Sequence, residues 1–317
     1  MKKTIFPLLL LALFFLLLLF PKEVKAGGLD GLFLWYNSVV PILLPFLILS
    51  NIIIATDSLS LFLRPLSFLQ KRFPGLHPIL FYPVFLGLFC GFPMGAKTVA
   101  DLMHSGKINL KQADWLLPFV NQASPMFLAG FVGIHILKEE LSFTKILFYL
   151  YLPPLLLLFF RLLLESFFSF FSSQKTSLPF HKKNPNQLTF TQKENSMPLN
   201  MEHTIWNSFH IIVVIGIYMM LFSIAVRLCF KLLPKNSLVT FSLCLLEFST
   251  GLNYLSGIPF TDPSVKTGLV LALTSFGGFC TAAQTASLIK DTHISMKSYL
   301  FWKLIGALGV FLLYSSS

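Results

Sequence analysis

Charge is scarce in this chain. Only 12% of its 317 residues are Asp, Glu, Lys or Arg, against roughly 25% in soluble domains. Cysteine is scarce too: Cys90, Cys229, Cys244 and Cys280 lie far apart in apolar sequence. No pair has the spacing of a zinc or redox motif, so they read as small packing residues. The seven histidines form no His-Glu-x-x-His pattern. There is no Gly-x-Ser-x-Gly, no ordered triad and no acid pair with a plausible soluble pocket. These absences argue against an enzyme, a metal centre and a cofactor.

What the chain has is apolar length. It is 55% hydrophobic with a mean hydropathy of +0.75, and several runs reach the roughly 20 residues needed to cross a bilayer. The expected class is an all-α polytopic membrane protein, with the lipid bilayer as its first partner. The net charge of +11 does not point to nucleic acid. Lys2, Lys3, Arg64, Lys71, Arg72, Lys107, Lys111, Lys175, Lys182, Lys183 and Lys193 flank the apolar runs, which is how cytoplasmic loops set topology. No basic stretch is interleaved with aromatics as a base-stacking surface would be.

Four regions follow. Residues 1–26 join Lys2 and Lys3 to the apolar Ile5–Phe20 and end in Val24-Lys25-Ala26; this is either a cleaved signal peptide or an uncleaved signal anchor. Residues 27–171 form a first membrane unit, with spans expected at Leu32–Ala55, Trp115–Leu137 and Phe143–Phe171 and an interfacial helix at Ser58–Phe73. Residues 172–204 turn abruptly polar and basic, a solvent-facing linker. Residues 205–317 form a second unit, with Ile205–Phe230, Leu238–Leu255, Gly268–Ile289 and a last span near Tyr299–Tyr314.

The two units share landmarks. Trp35-Tyr36-Asn37-Ser38 is echoed by Trp206-Asn207-Ser208, and Gly91-Phe92-Pro93-Met94-Gly95-Ala96-Lys97-Thr98 by Gly278-Phe279-Cys280-Thr281-Ala282-Ala283-Gln284-Thr285. Their matching order argues for a duplication. Glycine and proline inside an apolar run predict a half-helix, a turn and a second half-helix. Such irregular backbone is tolerated at membrane depth only where protein or a water cavity surrounds it. Two related repeats with broken, re-entrant hairpins at the two Gly-Phe motifs are therefore expected, and inversion is favoured by analogy with transporter repeats. Inversion would require Leu238–Leu255 to lie partly in the interface.

Gly91 to Thr98 nearly matches a phosphate-binding loop, but the second glycine, a βαβ setting and a magnesium-binding acid are missing. The remaining polar residues support two readings each. Lys97 in apolar sequence is either a ligand-facing group or a snorkelling lysine, with Asp101 one turn on as its partner. Gln284, at the Lys97 position of the second motif, and Thr285 either contact a solute or bond neighbouring helices. Asn121, Gln122 and Ser124 before Pro125 are packing glue or the wall of a site. Glu247 is a proton or cation handle if buried and merely solvated if interfacial. With Gly91, Pro93, Gly95 and Gly278, these residues make up the candidate ligand-binding set.

Gly-Phe-Pro-Met-Gly-Ala-Lys, Asn121 to Phe127 (Asn-Gln-Ala-Ser-Pro-Met-Phe), Leu246-Glu247-Phe248-Ser249-Thr250-Gly251 and Ser275-Phe276-Gly277-Gly278-Phe279 with Ala283-Gln284 resemble the YlbJ family of sporulation integral membrane proteins. That family is similar to the nucleoside-recognition, or Gate, group. The resemblance covers about residues 30–310 and implies a role in spore formation, particularly the cortex. It departs at Cys280-Thr281-Ala282, which are not taken as ligands. The combined expectation is transport or gating of a small polar, nucleoside-like solute at a site bounded by Gly91–Thr98, Asn121–Ser124 and Ser275–Thr285. The alternative is a scaffold recruiting spore-envelope proteins through residues 172–204 and 58–73.

Overall fold

The computed structural model describes residues 2–56, 58, 78–171, 201–234, 237–258, 260 and 262–317. Residues 172–200 of the expected linker and all of the expected interfacial helix 58–73 except Ser58 lie outside the described residues. Every regular element described is helical. Helix α1 (Lys2–Leu19) leads into α2 (Pro21–Leu34), a π-helical stretch Trp35–Val39 and α3 (Val40–Ala55), so that residues 21–55 form one rod. The first unit continues with α4 (Phe81–Cys90), α5 (Met94–His104), α6 (Leu110–Val120), α7 (Pro125–Phe127) running into π-helical Leu128–Ile136, and α8 (Phe143–Phe171). The second unit holds α9 (Met201–Leu232), α10 (Ser237–Leu246), α11 (Phe248–Ser256), α12 (Pro263–Phe276), α13 (Gly278–Ile289) and α14 (Met296–Ser315).

Among the described residues, five helical stretches are long and apolar enough to cross a membrane: Leu110–Ile136, Phe143–Arg161, Thr204–Leu232, Pro263–Ile289 and Met296–Ser315. The chain is a multi-pass membrane protein. The span expected at Leu32–Ala55 falls on this rod, whose last helix is the apolar Val40–Ala55. The outward faces carry large apolar side chains such as Phe14, Phe160, Leu221 and Leu308. Within a bilayer, that surface faces acyl chains.

Breaks, rather than lengths, organise the interior. Helices α4 and α5 double back on one another at Gly91–Pro93, passing a cis peptide bond before Pro93; a Cβ on Gly87 would lie 3.1 Å from Gly95 Cα. Helices α10 and α11 double back at Glu247, where Cys244 Sγ donates to the Gly251 carbonyl at 3.2 Å. Between α6 and α7 the chain unwinds at Asn121–Ser124 without reversing, and between α12 and α13 it pivots on Gly277 at φ +81°. Each unit therefore orders a rod, a hairpin, an interrupted span and a continuous helix.

This corrects one expectation. The first Gly-Phe motif does sit at a hairpin tip, but the second lies in an interrupted span; the second hairpin is Ser237–Ser256. The segment Leu238–Leu255 is thus neither a span nor an interfacial helix. The two motifs look alike because both use glycine to break an apolar helix, while element order pairs the Gly91 break with Glu247 and the Asn121–Ser124 break with Gly277.

Local sequence explains the helix starts. Asn109 and Gln112 form a reciprocal capping box on α6, with bonds of 2.9 and 3.0 Å. Asp262 accepts from Ser264 N at 2.8 Å, with Pro263 opening α12. The rod and α9 pack antiparallel through small residues: Cβ atoms on Gly27 and Gly31 would fall 2.7 Å from Ile224 Cα and Met220 Cα, and Trp35 lies against Gly216. This is the close approach that Gly-x-x-x-Gly permits between membrane helices. Trp35 Nε1 closes the contact by donating to the Ile212 carbonyl at 2.8 Å.

Candidate functional site

All four breaks meet. In the first unit the hairpin tip touches its own interrupted span: a Cβ on Gly91, at φ +82°, would stand 2.5 Å from Ser124 N. In the second unit the same relation holds, since a Cβ on Gly278 would reach 3.1 Å from the Leu245 carbonyl and 3.2 Å from Phe248 N. Across units, the Phe92 ring lies where a Cβ on Gly277 would be, 2.8 Å from its Cζ. Phe248 packs edge-on against Phe92 at 5.9 Å between centroids and against Phe127 at 5.4 Å. Aromatic packing of this kind favours offset or edge-on geometry, so the tips interlock through their phenylalanines.

Beneath the tips lies a cavity of about 70 Å³. Ser124, Glu247, Ser249, Thr281 and Gln284 give it a polar side, while Leu34, Val39 and Leu43 of the rod and Ile215 and Met219 of α9 form the opposite, apolar side. Glu247 is only 2% exposed, which removes the solvated reading. Its carboxylate caps α11: Oε1 accepts from Ser249 N at 3.1 Å and Ser249 Oγ at 2.5 Å, and Oε2 accepts from Thr250 N at 2.6 Å. A carboxylate at a helix N-terminus is stabilised by backbone donors and the helix dipole, which makes its burial tolerable without a cation. Gln284, which also lines the cavity, donates to Cys280 Sγ at 3.3 Å.

An open hollow of about 590 Å³ adjoins this cavity and shares Leu34 and Ser249 with it. Asp30, Asn37, Arg227, Asn253 and Tyr254 are among its walls. Arg227 Nε donates to Asp30 Oδ2 at 2.8 Å, and His135 Nε2 lies 2.9 Å from Asn253 Oδ1. The hollow thus carries charged and polar groups beside apolar ones, and it meets the cavity at one leucine and one serine.

A second polar knot sits on the other side of the first break. Asn121, fully buried, donates through Nδ2 to Thr285 Oγ1 and to Tyr299 OH, both at 2.9 Å. Lys303, 3% exposed, donates to the Asn121 carbonyl at 2.9 Å and to Gln122 Oε1 at 3.2 Å. Its ammonium also lies 5.0 Å from the Phe92 centroid, within cation–π range. Gln122 Nε2 in turn donates to the Pro118 and Phe119 carbonyls at 3.2 and 3.3 Å, satisfying acceptors that the end of α6 leaves open.

The sequence-derived candidates therefore separate. Ser124, Glu247 and Gln284 line the cavity; Asn121 and Thr285 bond to one another behind it; Gly91 and Gly278 are close-approach points. Gly95 is another, pressed on the Val120 carbonyl. Lys97, 8% exposed, pairs with Asp101, and neither lines the cavity. Thr98 donates back to the Met94 carbonyl at 2.8 Å, a packing role, and Pro93 caps α5. Three members of the knot were not anticipated: Lys303, Tyr299 and Tyr151, whose hydroxyl donates to the Ala123 carbonyl at 2.7 Å. A lone lysine in the middle of the last apolar run was the available signal for Lys303. Among the described residues no group of three or more His, Cys, Asp or Glu could hold a metal ion.

Comparison with known proteins agrees with the motif resemblance. No family model matches the chain, and no solved structure matches it. The chain is similar to the sporulation integral membrane protein YlbJ of Bacillus subtilis (strain 168), with 27% identity over 333 aligned positions, covering 94% of this chain and 79% of the relative. That similarity runs along nearly the whole length of the chain and agrees with its all-helical, multi-pass framework: the chain is similar to a YlbJ-like sporulation integral membrane protein.

Proposed function

We propose that this protein passes or gates a small polar solute across a membrane of the sporulating cell and catalyses no reaction. The convergence of four helix breaks on one partly polar cavity carries the reading. Half-helix ends and unwound backbone at membrane depth are the means by which transporters of repeated architecture hold polar cargo. Inverted repeats fit the same picture: the rod of the first unit and α9 of the second open their units and run antiparallel, with Gly27, Gly31 and Trp35 meeting Ile224, Met220 and Gly216 in descending order.

The cavity size constrains the cargo. Sites for drug-sized ligands enclose about 300–1,000 Å³, far above the 70 Å³ here. The conformation described is therefore a closed one under this reading, and a nucleoside-like solute enters only when the phenylalanine-locked tips part. The adjoining hollow supplies the approach, and Glu247 and Gln284 supply an acceptor-rich wall suited to a solute bearing hydroxyl, amide or amino donors.

Complementation of a spore former that lacks its own YlbJ-like protein tests this. Glu247→Gln and Gln284→Ala, at wild-type membrane abundance, are expected to reduce heat-resistant spores at least about tenfold, the effect of roughly 1.4 kcal/mol on one binding step. Uptake into proteoliposomes, screened over nucleosides and amino sugars, then identifies the cargo. Normal sporulation with both variants would leave the cavity a structural feature only.

A further inference from the structure

We propose that Lys303 is a tethered cation, its ammonium filling the place at which the interrupted span α6 would otherwise collect a monovalent metal ion. Helix α6 ends at Val120, so its last carbonyls and the negative end of its dipole point into protein rather than water. Unwound carbonyls and half-helix C-termini are where transporters of this architecture coordinate their coupling cations. Here the Asn121 carbonyl and Gln122 Oε1 both face Lys303 Nζ, at 2.9 and 3.2 Å. The Phe92 ring covers the same ammonium at 5.0 Å. Oxygen acceptors and an aromatic face, with no counter-charge, are the surroundings of a bound cation.

Charge accounting supports the assignment. Among the described residues no ion pair joins Lys303 to a carboxylate. Asp101 is held by Lys97, and Glu247 by Ser249 and Thr250. The neighbourhood is instead rich in acceptors: Asn121 Oδ1 is buried and has no hydrogen-bond partner. Turning that amide over does not remove the mismatch. Its oxygen would then accept from Thr285 and Tyr299, and its nitrogen would become the unpartnered end. The ammonium is held instead by the Asn121 backbone carbonyl and Gln122 Oε1, neutral oxygens to which Lys303 brings the charge from α14.

The contact also ties hairpin and span together. Phe92 belongs to the first hairpin tip, packs on Gly277 and Phe248, and lies over Lys303. One side chain therefore couples the cation site to the closure of both tips. This inference concerns cation occupancy alone and does not depend on any solute crossing the membrane.

The test uses the purified full-length protein and reads its melting temperature in sodium, potassium, lithium and choline chloride at equal ionic strength. A ligand that binds only the folded state raises that temperature by mass action. The wild type is expected to melt alike in all four salts. Lys303→Ala is expected to melt lower in choline chloride and to recover, with rising concentration, in methylammonium or one of the alkali ions, but not in tetramethylammonium. Where Lys303→Ala fails to yield folded protein, Lys303→Gln, which keeps a donor without the charge, takes its place in the same comparison. Stabilisation of the wild type by an alkali ion overturns the proposal, because the site would then be open to metal. A folded Lys303 variant that responds to no small cation overturns it as well.

Discussion

Gly87 and Gly95 offer the sharpest test of how the first hairpin is seated. They lie on opposite legs of the hairpin, and the Val120 carbonyl, the last of α6, is wedged between them. A Cβ on Gly87 would stand 1.8 Å from Val120 O, and one on Gly95 would stand 2.3 Å from it and 3.2 Å from Asn121 Cα. Carbon–oxygen contacts in proteins settle near 3.3–3.6 Å, so Gly95→Ala requires a shift of about 1 Å and Gly87→Ala about 1.5 Å. Backbone on both sides makes that shift expensive, since no flexible side-chain end can swing away. Overpacking of this kind costs about 1–3 kcal/mol, which for chains of 150–250 residues corresponds to about 2–4 °C of melting temperature per kcal/mol. Each variant is therefore expected to melt several degrees below wild type in detergent. Gly130 and Gly306 supply the control, because a Cβ on either meets nothing within 4 Å. Their alanine variants should melt at or above wild type, as helix propensity alone favours alanine by up to about 1 kcal/mol. The double variant Gly87→Ala/Gly95→Ala should cost less than the sum of the singles, because both push the same carbonyl. If the Gly87 and Gly95 variants melted with the controls, the hairpin would not be seated on α6 as described.

Three further outcomes are expected. Lys97→Ala leaves Asp101 in a largely buried position without its partner, a loss of about 3 kcal/mol by the behaviour of buried pairs; Lys97→Met/Asp101→Leu should recover most of the melting temperature, and failure to recover would show the pair doing more than cancelling charge. Glu247→Ala removes the cap of α11 and strands the Ser249 and Thr250 amides, lowering stability by about 1–2 kcal/mol, whereas Glu247→Gln retains one accepting oxygen and should fall between; chemical denaturation of the purified protein ranks the three. Arg227→Ala, at a pair open to solvent, should leave the melting temperature nearly unchanged yet slow uptake of whatever cargo the proteoliposome screen identifies, and an unchanged rate would remove the adjoining hollow as the route of entry.

Membrane class and the polar breaks were legible because each follows from a local rule, apolar length or helix-breaking residues; that Asn121 bonds Thr285 was not, since only the fold pairs them. Which broken segment turns back and which carries on was not legible from breaks alone. Leg length would have told them apart. The hairpin legs hold 10 and 11 residues in the first unit and 10 and 9 in the second, about 15 Å each at 1.5 Å per residue, half a hydrocarbon core. The interrupted spans run 27 residues each, enough to cross even with a break. Lys97 drew attention as the charged residue inside a motif, yet it is neutralised one turn away by Asp101. Lys303 lies in a stretch with no motif at all, and its significance comes from Asn121 and Gln122, more than 180 residues earlier in the chain. A cation's role in a membrane interior is set by whether its partner carries an opposite charge or only a dipole, and that partner is chosen by tertiary packing. For this reason a search for motifs passes over Lys303, whose partners are fixed only when the fold brings Asn121 and Gln122 to it.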